Sequence, residues 1–177
     1  MKWIKILVVV SAAFIVSLSV VNAQPKAAGL SFSITGVGLS YEHYTESDSF
    51  ITLDLSADTD DYMWMRSSNL GVRADFVWNM ILAEKSSSLG NKITFYAGPG
   101  VMVGYVTDLN DISGPAFGLK GRLGMECRFT RSITLSANLS PIIGSHISYE
   151  KGDVRMRLYK SGLIQSIIPE VGIKYAF

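Results

Sequence analysis

The stretch Leu70-Gly71-Val72-Arg73-Ala74-Asp75-Phe76-Val77-Trp78-Asn79-Met80-Ile81-Leu82 decides the fold. Leu70, Val72, Ala74, Phe76, Trp78, Met80 and Leu82 share one parity. Gly71, Arg73, Asp75 and Asn79 share the other, with Val77 and Ile81 the exceptions. Successive side chains of an extended strand point to opposite faces, so this segment is a ribbon with one oily and one largely polar side. A helix would bring its apolar residues back every three to four positions, and that period is absent.

The same alternation runs outward in both directions. Ile51, Leu53 and Leu55 oppose Thr52, Asp54 and Ser56; Ile93, Phe95, Val101, Val103 and Tyr105 share one face of a glycine-rich segment. Phe117, Leu119, Leu123, Met125 and Phe129 oppose Lys120, Arg122, Glu126 and Arg128. Ile133, Leu135, Ala137 and Leu139 oppose Thr134, Ser136, Asn138 and Ser140, and Val171, Ile173, Tyr175 and Phe177 oppose Glu170, Gly172, Lys174 and Ala176. Near the start the parity changes, from Leu30, Phe32 and Ile34 to Val37, Leu39, Tyr41 and His43, with Gly36 and Gly38 at the break. A tight glycine turn between two strands explains the change, and a glycine bulge in one long strand over 30–44 is the alternative. The turn reading predicts eight strands, about 28–35, 37–45, 49–57, 68–82, 92–106, 115–129, 132–145 and 165–177.

Residues 1–23 differ from the rest. Lys2 and Lys5 precede an apolar run from Ile6 to Val21, and Val21-Asn22-Ala23 offers a small-residue cleavage site before Gln24. Charge, length and exit site are those of a secretory signal peptide, with an uncleaved anchor as the alternative. The remaining 24–177 form one domain. Of the 177 residues 48% are hydrophobic and 18% charged, and the formal net charge is +1, so no global field attracts nucleic acid. The single cysteine, Cys127, excludes an internal disulfide framework and a paired-cysteine zinc site, and it reads as a small hydrophobe.

Periodicity leaves open whether the oily faces point in or out. A soluble ligand-binding barrel buries them; a membrane barrel turns them to lipid and keeps polar side chains in its lumen. The polar faces carry a balanced set in mid-strand: Glu42, Asp54, Asp75, Glu126 and Glu170 against Arg73, Lys120, Arg122, Arg128 and Lys174. Such a set suits a cross-linked lumen. Tyr41, Tyr44, Tyr105, Phe129, Tyr175 and Phe177 lie toward strand ends, as interfacial girdles require.

The chain ends Val171-Gly172-Ile173-Lys174-Tyr175-Ala176-Phe177. With the export segment and the continuous alternation, this resembles the small outer-membrane β-barrel superfamily, of the outer membrane protein A and X type. The resemblance covers essentially all of 24–177. It implies an all-β, eight-stranded antiparallel up-and-down transmembrane barrel after a cleaved signal peptide, exported through the Sec pathway. In that superfamily Ile173, Tyr175 and Phe177 would be read by the barrel-insertion machinery, and the partners would be outer-membrane lipid and lipopolysaccharide. Termini and short turns would lie on the periplasmic side, Asp58–Ser67 and His146–Ile164 outside.

Eight strands enclose a lumen just wide enough for side chains, which disfavours a general pore. The expected role is structural or surface-interacting through outer loops, with no cofactor, no metal and a loop partner the sequence leaves unnamed. His146-Ile147-Ser148, with Glu150 in phase, is the one weak catalytic candidate. It resembles the His-x-Ser pair of lipid A 3-O-deacylases, but Tyr149-Glu150-Lys151 stands where that motif has an asparagine. The alternatives are therefore a lipid A acyl hydrolase using His146 and Ser148, or a soluble periplasmic barrel, with a non-enzymatic barrel the main reading. His43 reads as an interfacial residue without ligand partners. In the loops, Asp58, Asp60 and Asp61 beside Tyr62-Met63-Trp64-Met65, and Arg155, Arg157 and Lys160, are candidates for contact with partners or lipid phosphates.

Overall fold

A computed structural model describes residues 26–46, 48–59, 70–86, 91–107, 113–150, 153–159 and 167–177. The expected export segment 1–23, and the expected loop candidates Asp60 to Met65 and Lys160, lie outside the described residues. Nine strands follow in order: β1 Lys26–Ser33, β2 Gly36–Glu46, β3 Ser49–Thr59, β4 Leu70–Ser86, β5 Lys92–Thr107, β6 Ser113–Arg128, β7 Ile133–Glu150, β8 Asp153–Leu158 and β9 Ile167–Ala176.

Every pairing is antiparallel between sequence neighbours, except that β9 pairs both β7 and β1 and so closes the ring. Eight strands form the wall; β8 pairs with β7 alone among the described residues. The first and last strands are zipped at their ends, with the Phe177 amide donating to the Lys26 carbonyl at 2.9 Å. Register fixes the shape. Crossing from Ser136 through Gly172, Ser31, Gly38, Ser56, Arg73, Gly104 and Ala116, the paired residues return to β7 at His146, ten positions further along. That stagger forces the strands to tilt by roughly 35–45° to the axis of a narrow barrel.

The parity break near the start is a hairpin. Ser33 pairs with Gly36 across Ile34-Thr35, and the Thr35 amide donates to Ser33 Oγ at 3.3 Å. At Phe129–Ser132, Thr130 Oγ1 accepts from the amides of Ser132 and Ile133 at 3.3 and 3.0 Å, which explains why so short a connection holds. This turn, the facing ends of β2 and β3 and of β4 and β5, and Lys26 and Phe177 lie at one end. The opposite end carries the Ile34-Thr35 turn and the connections at 60–69, 108–112 and beyond β7.

Two elements depart from the sequence reading. β4 runs to Ser86 rather than Leu82, because a bulge between Ile81 and Ala83 resets the parity, and Glu84 pairs with Lys92 at 2.7 Å beyond it. The predicted long loop over 146–164 contains the end of β7 and all of β8, which form a hairpin of their own. Val154, Met156 and Leu158 share one exposed face of β8, a pattern that joins the rest of the wall only through the pairing of Glu150 with Asp153.

Candidate functional site

The wall is inside out relative to a soluble barrel. Trp78 is 50% exposed on the outer surface, while its neighbour Asn79 is fully buried and donates from Nδ2 to Thr52 Oγ1 at 2.8 Å. Leu30, Leu39, Leu53, Phe76, Val101, Leu119, Leu135 and Val171 face outward all the way round; the mid-strand charges Asp54, Arg73, Asp75, Lys120, Arg122 and Glu126 face inward. Burying these apolar surfaces requires hydrocarbon outside, and every ring strand finds its backbone partners within the closed sheet. The chain has the fold of a small outer-membrane β-barrel. The soluble-barrel alternative fails here, because Phe76 and Trp78 lie outside and Arg73 and Asp75 within.

Two ion clusters occupy the lumen. In the first, Lys174 of β9 donates from Nζ to Glu42 of β2 and, at 2.6 Å, to Glu126 of β6. Tyr44 closes this cluster, its hydroxyl 3.4 Å from Glu126 Oε2. Its ring stacks on Phe50 at 5.0 Å, and Phe50 meets Tyr96 edge-on at 4.9 Å. Tyr96 donates to Asn138 Oδ1 at 2.6 Å, and its ring lies over Gly124, where an added Cβ would come within 2.7 Å of it.

The second cluster gathers four carboxylates and three cations. Lys120 Nζ donates to Asp75 Oδ2 at 2.6 Å and to Glu170 Oε1 at 3.3 Å. Arg122 Nη2 donates to Asp54 and, at 3.4 Å, to Glu170 Oε2. Arg73 reaches Asp75 through Nε at 3.2 Å, and lies 3.5 Å from both Asp58 Oδ2 and Glu170 Oε1. Tyr159, the residue after β8, turns into the lumen. Its hydroxyl donates to Asp58 and accepts from Arg73 Nη1 at 3.1 Å. Met102, Val106, Ala116, Ile142, Ile168 and Tyr159 form a buried apolar cluster toward the loop end. A remaining gap lined by Ser31, Ser33, Gly36, Gly38, Ser56 and Arg73 has room for about one water.

Of the expected lumenal charges, Glu42, Asp54, Arg73, Asp75, Lys120, Arg122, Glu126, Glu170 and Lys174 are buried and ion-paired. Arg128 is only half-buried, at the last position of β6, and no ion pair holds it among the described residues. Three corrections concern residues misplaced by sequence. Tyr44 belongs to the lumen and not to a girdle, since its parity matches Glu42. Asp58 continues the inward parity of Asp54 and Ser56 and is no loop residue. Tyr159 carries no periodic signal at all, because β8 ends one residue before it.

His146 and Ser148 are buried on the inner face, with Ser148 Oγ donating to the Arg155 carbonyl at 3.4 Å. Neither faces the lipid that an acyl hydrolase must reach. The Glu150 side chain lies outside the described residues. Ile173, Tyr175 and Phe177 are exposed on the outer face, and Cys127 is a half-buried free thiol. No group of three His, Cys, Asp or Glu residues suited to a metal ion occurs among the described residues.

No family model and no curated relative matches the sequence. The solved structures that match the chain include the following three. A major outer membrane protein from Thermus thermophilus is 13% identical, with 88% of this chain and 100% of that one covered and a TM-score of 0.47. Neisserial surface protein A is 13% identical over 86% and 93%, with a TM-score of 0.42. The attachment invasion locus protein of Yersinia pestis, solved with the heparin analogue sucrose octasulfate, is 12% identical over 88% and 100%, with a TM-score of 0.37.

Proposed function

We propose that this chain is an integral outer-membrane barrel that conducts nothing and presents the β7–β8 hairpin as a docking strand for a partner polypeptide. The observation that carries this reading is the height of the hairpin. A strand of about 9–11 residues crosses the membrane when tilted, and β1, β2, β3 and β9 have 8, 11, 11 and 10 residues. β7 has 18, starts beside the turn at the terminal end, and is covered by β9 only from Ile133 to Pro141. From Ser145 onward its partner on that side is β8 in place of β9, while β6 stays beside it to His146, so the hairpin carries the wall on past the end of β9.

β8 offers two things there. Its far edge is unpaired among the described residues, which leaves a row of backbone groups for another strand. Val154, Met156 and Leu158 are 67%, 64% and 54% exposed on one face, alternating with Arg155 and Arg157. The partner this fits is an extended segment with apolar residues at alternate positions and carboxylates between them. The ion-filled lumen supports the non-conducting half of the reading. Residues 1–23 as the export signal, Ile173, Tyr175 and Phe177 as the insertion signal, and lipopolysaccharide as the surrounding lipid complete it.

The test uses the folded barrel in detergent micelles and a labelled peptide of alternating valine and glutamate, followed by fluorescence anisotropy. V154K/M156K is expected to weaken binding by about tenfold or more, the loss expected when strand pairing is deprived of its alternate side-chain contacts. Absence of binding, or equal binding by the variant, removes the docking role. Cell fractionation with boiled and unboiled electrophoresis tests the membrane assignment separately.

A further inference from the structure

Two prolines sit in the middle of the wall, Pro99 in β5 and Pro141 in β7, both exposed on the lipid-facing side. A proline gives no N–H to a ladder. β4 pairs with β5 at Val77 to Gly100 and next at Met80 to Ala97, and Pro99 falls in the gap. β6 pairs with β7 at Lys120 to Ile142 and next at Leu123 to Leu139, and Pro141 falls in that gap. Between them, β5 and β6 are paired without interruption from Lys92 to Thr107. The β5–β6 hairpin is thus a rigid panel with a weakened seam on each side. Hydrocarbon supplies no substitute for a missing backbone partner, so such seams need other support.

The lumen supplies it at these two places. Behind the Pro141 seam, Arg122 of β6 and Ser140 of β7 flank the unpaired step, and both donate to Glu170 Oε2, at 3.4 and 3.2 Å. Arg122 also holds Asp54 across the lumen. At the Pro99 seam, Lys120 of β6 reaches over β5 to Asp75 of β4 at 2.6 Å, and so ties the panel to the strand from which it is partly unbonded. Gly121, between these two cations, accommodates the proline: a Cβ there would come 3.2 Å from Pro141 Cγ.

We propose that Lys120 and Arg122 are clamps that hold the β5–β6 panel shut at two proline seams, and that this panel is the part of the wall able to swing outward. Lys120 guards the β4–β5 seam and Arg122 the β6–β7 seam. The cluster around Lys174 does not serve either seam, because it joins β9 to β2 and to the far part of β6.

The test is amide hydrogen exchange, resolved by peptide, on the full barrel in lipid nanodiscs. In the native chain, amides flanking Pro99 and Pro141 are expected to exchange faster than those of the unbroken β3–β4 pairing. K120M should raise exchange at the β4–β5 seam by about tenfold and leave β6–β7 nearly unchanged, and R122M should do the reverse, as local opening would require. P141V restores the missing donor and should slow its seam. K174M is the control: any rise it causes should be spread along the wall and not concentrated at the two seams. A uniform rise in every variant, or an equal effect of K174M at the seams, would overturn the clamp. Should the cation variants fail to fold, as judged by electrophoretic mobility before boiling, the comparison of P141V with the native chain decides alone: equal exchange at 119–123 and 139–142 sinks the proposal.

Discussion

One ammonium, Lys174, faces two carboxylates, Glu42 and Glu126, and all three are buried. Such a group is more informative about what happens on removal than about net stability. A buried pair gains little over an apolar substitute, but taking away one partner strands the other. K174M leaves two acids facing each other and is expected to cost about 3–5 kcal/mol, read by urea unfolding in lipid vesicles. An unchanged midpoint would show that the acids are carried by other groups. Tyr159 gives a smaller, separable prediction. Y159F loses bonds to both Asp58 and Arg73 and should lower stability by about 1–3 kcal/mol, seen as a lower temperature of mobility change on gels. Most members of both clusters were legible as residues, since alternation alone assigns Asp75 and Lys120 to the inner face. Which acid meets which base was not, because the partners are brought together by closure: Lys120 and Asp75 lie 45 positions apart.

Strands set the next scale. Register in β4 is specified by its oily parity, from Val72 to Leu82 outward and from Arg73 to Asn79 inward. Deleting a single residue between Asp75 and Val77 would exchange these faces in half the strand, sending charge into hydrocarbon. We expect that variant to yield no detergent-resistant band before boiling, whereas deletion of a residue in the 87–91 connection should be tolerated. A packing prediction belongs here too. Tyr96 of β5 can lie across β6 only because Gly124 has no side chain. G124V should displace the ring, break its bond to Asn138, and lower the unfolding midpoint more than Y96F does. Sequence reading located all eight wall strands yet missed β8 and the last residues of β4, for one shared reason. A bulge or a hairpin inside a presumed loop resets parity, and parity was the only signal available.

For the whole molecule, the decisive quantity is the combination of eight wall strands and a ten-residue stagger, which leaves an interior that side chains can fill. Reconstituted in planar bilayers, the native barrel should show no steady ion conductance. R73A/Y159A, which removes two large groups from the loop end, should be the variant with the best chance of channel events. Steady currents from the native protein would contradict the filled lumen. The wall is also asymmetric, low at β1 and β9 and tall from β4 to β7.

Taken alone, the sequence determined polarity by parity, because a two-residue repeat survives any arrangement of the strands around it. From that came the strand count, the inner and outer faces, and the expectation of a charged interior. Only tertiary structure decided who pairs with whom, that Tyr44, Asp58 and Tyr159 join the interior, and that Pro99 and Pro141 interrupt opposite sides of one hairpin. Those facts depend on closure and stagger, which place residues from distant strands at the same level, and no local pattern along a chain encodes that level.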